Sequence, residues 1–322
     1  MREGQFIKKY KDRWDEYQEN PTEDPDELAK RFTYLVDDLS YAKTFYPGSN
    51  TARYINSMAA KIYLEIYKNK QEKSHRFITF WTVELPLIMY RYRRIFLFSF
   101  LLFVTFFFLG ILASTLEPDF VGMILGQDYV EMTEQNIAAG DPFGVYKSGD
   151  SFLMFLAIAW NNTRISLMMF GSGITFGLGT LYLLFHNGIM VGVFEHMFYQ
   201  HHLGTQFFLV VFIHGTLELS AVVIAAWSGF ILGHSILFPG TFTRMQSLTM
   251  ASKDAIKIII GLIPVFVIAA FFESYITRYT QMPLSISLSI LFGSFGFILF
   301  YFVYYPFKVF KKAQQHFLEK IF

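Results

Sequence analysis

Hydrophobic and polar positions divide the chain into a charge-rich opening, a long apolar middle and a basic end. In the opening, Leu28, Phe32, Leu35, Val36 and Leu39 recur at the three-and-four spacing of one helix face. Pro25 suits a first helical turn, with Asp24 before it as a cap and Asp26 and Glu27 behind it. Tyr46, Pro47 and Gly48 break that helix, and Thr51 opens the next, with Ile55, Met58, Ile62 and Ile66 facing inward. Short helices joined by such a turn pack as an antiparallel hairpin. Residues 1–75 therefore read as a cytosolic helical hairpin segment whose outer charges are solvated surface.

The pattern changes at residue 76. Over residues 76–94, aromatic and aliphatic positions mix and lead to a basic end, interrupted by Pro86. This predicts an amphipathic interfacial helix, with Arg91, Arg93 and Arg94 as a lipid-facing anchor on anionic headgroups. Apolar stretches follow at residues 95–115, 151–185, 205–238, 258–272 and 284–305, all but 258–272 reaching the roughly 20 residues that a helix needs to cross a bilayer. Residues 189–199 are too short for an ordinary crossing and read as a short span or a re-entrant segment. The predicted class is an all-α polytopic membrane protein with about six membrane-passing helices: a transmembrane domain over residues 95–305 and a cytosolic tail over residues 306–322.

Charge orients this array. Arg91, Arg93 and Arg94 precede the first span, Arg244, Lys253 and Lys257 lie between later spans, and Lys308, Lys311, Lys312 and Lys320 mark the tail. The positive-inside rule puts all of them in the cytoplasm. The loop over residues 117–150 carries Glu117, Asp119, Asp128, Glu131, Glu134, Asp141 and Asp150 against Lys147, which fits the outer face. Both termini are then cytoplasmic.

Composition narrows the chemistry. Of 322 residues 53% are hydrophobic and 19% aromatic, and the net charge of +1 argues for neither nucleic acid nor an acidic substrate. Cysteine is absent, which excludes disulfides, thiolate catalysis, Fe–S clusters and Cys-ligated zinc. The charged N-terminus has no apolar signal-peptide core, so membrane targeting falls to the first hydrophobic helix.

Candidate chemistry concentrates in residues 205–240, where His214 and Glu218 lie four apart on one face of an apolar helix. Ionisable residues at bilayer depth cost a few kcal/mol and are rarely idle. Arg164 and Glu218 each fall about 20 Å below the outer ends of their segments, Ser151 and Thr205, which predicts a buried ion pair. Asn161, Asn162, Glu195 and His196 complete an intramembrane polar cluster, with Glu195, His196 and His214 nearer the outer half. His214 and Glu218 with Glu195 or His196 could bind a metal, but H-E-x-x-H is missing. A proton relay or an intramembrane hydrolase with Ser220 or Thr216 nearby lacks a G-x-S-x-G motif, and an intramembrane metal hydrolase would rest on His214, Glu218, Glu195 and His196. Transport through a cavity formed by the interrupted segments, or a polar network that fixes helix register, needs neither motif. No residue is assigned as catalytic, cofactor-binding or metal-ligating.

Asn161-Asn162, a glycine-rich span, then His214-Gly215-x-x-Glu218-Leu219-x-Ala221-x-x-Ile224-Ala225 and Gly229 together resemble the stage II sporulation protein M family. Phe80, Pro86, Arg91 and Arg94 resemble that family's approach to its first span, and the likeness covers residues 76–305. The resemblance implies an integral protein of the bacterial cytoplasmic membrane, or of an archaeal one. It also implies a scaffold character: the namesake works with two peptidoglycan-degrading proteins during forespore engulfment, and similar proteins occur beside MoxR-type AAA+ ATPases. The expectation is a non-enzymatic, homo-oligomeric scaffold in cell-envelope remodelling. Membrane lipid, envelope proteins or a MoxR-type AAA+ ATPase system are its expected partners, with no nucleic acid and no cofactor. The alternative is a transporter or channel with a polar site around His214 and Glu218. Fold and scaffold character carry over from the resemblance, whereas the sporulation pathway does not.

Overall fold

The computed structural model describes residues 1–22, 24–68, 76–147, 149–279 and 282–319. All regular elements among them are helical, and the chain folds as two compact units, Met1–Phe77 and Ile78–Phe322.

The first unit contains α1 (Glu3–Glu19), α2 (Pro25–Phe45) and α3 (Asn50–Lys68). At the start of α2, the Asp24 side chain accepts a hydrogen bond from the Asp26 amide at 3.0 Å, and Pro25 sits in the first turn, where its missing N–H costs nothing. Leu28, Leu35 and Ala42 of α2 pack against Ile55, Met58 and Ile62 of α3, and α1 adds Phe6 and Trp14 to the same core. The unit is thus a hairpin with a third helix laid on it. Asp38 is buried there, accepting from Trp14 Nε1 at 2.7 Å and pairing with Arg13.

The second unit opens with α4 (Arg76–Thr79), a π-turn at Phe80–Glu84 and α5 (Leu85–Arg91). Pro86 falls in the first turn of α5, so it ends nothing. Leu85, Pro86, Ile88 and Met89 are buried, and Glu84 pairs with Lys257. Arg91 Nη1 donates to Asp254 at 2.8 Å, and Arg93 donates to Tyr90 O and lies over the Tyr90 ring. Of the three arginines expected to face lipid, Arg91 and Arg93 have protein partners, and Arg91 and Arg94 are exposed.

The bundle follows as α6 (Arg93–Leu116), α7 (Asp119–Leu125), α8 (Gln127–Ala138), α9 (Ser151–Ser172), α10 (Leu178–Gln200), α11 (Gly204–Leu237) and α12 (Arg244–Phe271). A π-turn at Phe272–Ile276 extends α12. Then α13 (Leu284–Ile298) runs through a second π-turn, Leu299–Tyr304, into α14 (Tyr305–Glu319). Five stretches are long and apolar enough to cross a membrane: Arg93–Leu116, Leu178–Gln200, Gly204–Leu237, Arg244–Ile276 and Leu284–Gln315. Helix α9 has 22 residues, enough for about 30 Å, but carries Asn161, Asn162 and Arg164 in its middle. The protein is an all-α polytopic membrane protein.

The chain turns at residues 173–177, not at residues 186–188 as the apolar pattern suggested. The long 151–185 segment and the short 189–199 segment are therefore two full helices, α9 and α10. The reason is close packing. A Cβ on Gly173 would come within 2.1 Å of Gly229 O on α11, and Gly177 takes φ +84°, a left-handed conformation that glycine adopts without strain. His186, Asn187 and Gly188 run uninterrupted inside α10.

Helix α11 is the axis of the bundle, with every residue from Ala221 to Gly233 buried. It packs against α6, α9, α10, α12 and α13. Trp227 Nε1 donates to Tyr92 O at 3.1 Å, and Ser99 Oγ to Val223 O at 2.8 Å, which ties α6 and its N-terminal flank to this axis. At 34 residues α11 spans about 51 Å, so it tilts in or projects from a bilayer core of about 30 Å.

Candidate intramembrane polar site

The burial of α11 carries His214 and Glu218 into the bundle. His214 is only 4% exposed, and Glu218 is half-buried. The π-turn that ends α12 brings Glu273 to the same place: one ligand atom from each of His214, Glu218 and Glu273 lies within 4.8 Å of the others. The turn's extra residue widens the helix where Glu273 and Thr277 face α11, and Thr277 N closes it by donating to Phe272 O at 2.9 Å.

Thr277 also positions the imidazole. Its Oγ1 lies 2.9 Å from His214 Nδ1 and donates to Phe272 O at 3.2 Å. A hydroxyl has one proton, and when Thr277 gives it to Phe272 O its oxygen is left to accept from the imidazole. In that tautomer Nδ1–H donates to Thr277 and Nε2 is the basic nitrogen of the ring.

Helix α9 contributes Asn162, which is 6% exposed and lies beside the Glu218 carboxylate. Its Nδ2 is buried without hydrogen-bonding geometry to any described acceptor. Ser166 follows one turn along the same face, and its Oγ is buried without a described partner as well.

The expected pair between Arg164 and Glu218 does not form: among the described residues Glu218 has no ion pair with Arg164, which is exposed. Depth matching fixed the height of the two residues and said nothing of azimuth. Two residues along a helix is a rotation of about 200°, so Asn162 facing inward turns Arg164 outward. Asn161 is exposed too. Glu195 is half-buried and His196 buried on α10, but neither belongs to the group of converging ligand atoms. Their neighbours Met197 and Phe198 share a core with Phe207 and Val210, which lie one to two turns before His214 on α11. The α10 residues therefore occupy a higher level.

Residues 273–278, which follow the apolar stretch 258–272, supply Glu273 and Thr277. The signal was in the pattern: Leu262, Val265, Phe266, Ala269, Ala270, Glu273 and Thr277 keep one three-and-four spacing, so the buried face continues through the glutamate. Above the cluster opens a cavity of about 500 Å³ whose lining includes Asp141, Lys147, Gln206, Ile213, Ser287 and Thr277, the partner of His214. The loop over residues 117–150 forms part of its wall. That loop is itself packed, with Val121 and Phe143 buried and Phe143 stacked on Phe198 at 5.3 Å between ring centres.

Comparison with known proteins separates the same two units. Residues 99–278 match the family described as Stage II sporulation protein M, a span that contains Asn162, His214, Glu218, Glu273 and Thr277. Residues 4–68 match a domain of unknown function, DUF8413. An uncharacterized protein of Methanocaldococcus jannaschii is 33% identical over 125 residues, covering 38% of this chain and 70% of that protein. No solved structure matches the chain.

Proposed function

The chain belongs to the stage II sporulation protein M family, and from that premise we propose that it is a non-enzymatic membrane scaffold that assembles a complex in the cell envelope. The observation that carries this reading is that its extramembrane parts are built surfaces. Residues 1–77 have a hydrophobic core of their own, and the acidic loop buries Val121 and Phe143 against α10 and α11. A loop that merely joined two spans would have no reason to bury aromatic side chains on the bundle. Within the membrane, the polar cluster fixes α9, α11 and α12 at one level, as a rigid platform requires. The basic flanks support a cytoplasmic-membrane location with both termini inside. Envelope proteins, an AAA+ ATPase or further copies of this chain are the partners these surfaces would carry. Cross-linking in native membranes, followed by mild-detergent purification and mass spectrometry, tests this. Stoichiometric recovery of an envelope or ATPase partner is expected, and recovery of this chain with lipid alone contradicts the scaffold role.

One observation favours a second reading, a transporter or channel: the cavity of about 500 Å³ reaches Thr277, which holds His214. The chain has no native cysteine, so single cysteines at positions 213, 277 and 287 report water access directly. Labelling by membrane-impermeant thiol reagents from the outer face supports a solute path, and complete resistance from both faces removes it.

A further inference from the structure

We propose that His214, Glu218 and Glu273 hold a divalent transition-metal ion of the zinc class, which clips α11 to α12 inside the membrane. The site goes beyond the scaffold reading and stands or falls independently of it.

The donor set comes first. One imidazole and two carboxylates suit zinc-class ions, whereas the hard ions calcium and magnesium favour all-oxygen sites. The three donor atoms already lie within 4.8 Å of one another. Tetrahedral ligands about 2.1 Å from zinc stand roughly 3.4 Å apart, so side-chain rotation closing the donors by roughly 1 Å completes the geometry. The imidazole is held as metal-binding histidines are held. Thr277 Oγ1 lies 2.9 Å from Nδ1, and with Nδ1–H donating to it the ring offers Nε2 to the ion. Two carboxylates this close in apolar surroundings repel one another, and a cation between them reverses the sign of that interaction.

Asn162 extends the same site from α9: it is 6% exposed and its side chain lies against the Glu218 carboxylate, with Nδ2 outside strict hydrogen-bonding geometry. Amide nitrogen and oxygen exchange places by a half-turn of the side chain. That half-turn presents Oδ1 as a fourth donor and brings α9 into the same clip. The residues involved come from three separate segments, Asn162 on α9, His214 and Glu218 on α11, and Glu273 and Thr277 at the end of α12, which the fold alone joins.

The test uses the full-length protein, purified in detergent, stripped of metal and titrated with Co(II) as a spectroscopic stand-in and Zn(II) by calorimetry. Saturable binding of one Co(II) per chain, with the visible absorption of a low-symmetry O/N site, is expected, and Zn(II) should raise the melting temperature. Glu273→Gln and Glu218→Gln should weaken binding by at least roughly 10- to 100-fold, and Glu195→Gln should leave it unchanged. Thr277→Val keeps the side-chain shape while releasing the imidazole. It should weaken binding roughly 10-fold, and it decides the matter if either glutamine variant fails to fold. Absence of saturable binding in folded wild-type protein overturns the proposal. So does wild-type affinity in a folded Glu273→Gln or Thr277→Val variant.

Discussion

His214 Nδ1 lies 2.9 Å from Thr277 Oγ1, and this hydrogen bond joins the interior of α11 to the far end of α12. It brings two residues 63 positions apart to one level in the bundle and determines which imidazole nitrogen faces other partners. Thr277→Val retains the volume and removes the acceptor, leaving a buried Nδ1–H without its partner. The expected cost is about 1–3 kcal/mol of stability, read from thermal unfolding in detergent. Thr277→Ser should recover most of it.

Arg164 and Glu218 share a depth but not a face. A double-mutant cycle between Arg164→Gln and Glu218→Gln should return additive effects. A coupling energy of about 1 kcal/mol or more would mean that the two side chains meet after all.

Gly229 sits at one of the close helix crossings in the bundle. A Cβ there would lie 2.2 Å from Met169 O and 2.4 Å from Thr180 Oγ1. Gly229→Ala should therefore push α11 away from the α9–α10 turn and destabilise the bundle by about 1–3 kcal/mol, with Gly229→Leu worse. Melting temperature and proteolysis of the turn at residues 173–177 report the two consequences.

In the N-terminal unit, Asp38 receives Trp14 Nε1 at 2.7 Å and pairs with Arg13. Asp38→Ala leaves the buried indole N–H unsatisfied, at an expected cost of about 1–3 kcal/mol. Limited proteolysis of the full chain should show earlier cleavage within residues 1–68 and an unchanged membrane bundle.

The class of the protein and the axis of its bundle were legible in the hydrophobic pattern, because about 20 apolar residues in a row have few other uses. His214 and Glu218 stood out for the same reason, as polar interruptions in such a run. Glu273 did not stand out, since it follows the last strongly apolar residues of α12 and looks like the start of a loop. The continuing three-and-four spacing is the cue that it still faces inward. The α9–α10 turn escaped because glycines at residues 171, 173, 177 and 179 read equally well as helix packing or as a break. What decides between the two is the contact of Gly173 with Gly229, a relation between segments that local spacing does not encode.

That Glu218 and Glu273 form one site is tested most directly by a double-mutant cycle between Glu218→Gln and Glu273→Gln on thermal stability in detergent. Ligand atoms within 4.8 Å predict a coupling energy of about 0.5–3 kcal/mol. Strict additivity of the two substitutions would place the carboxyls in separate environments and contradict the site.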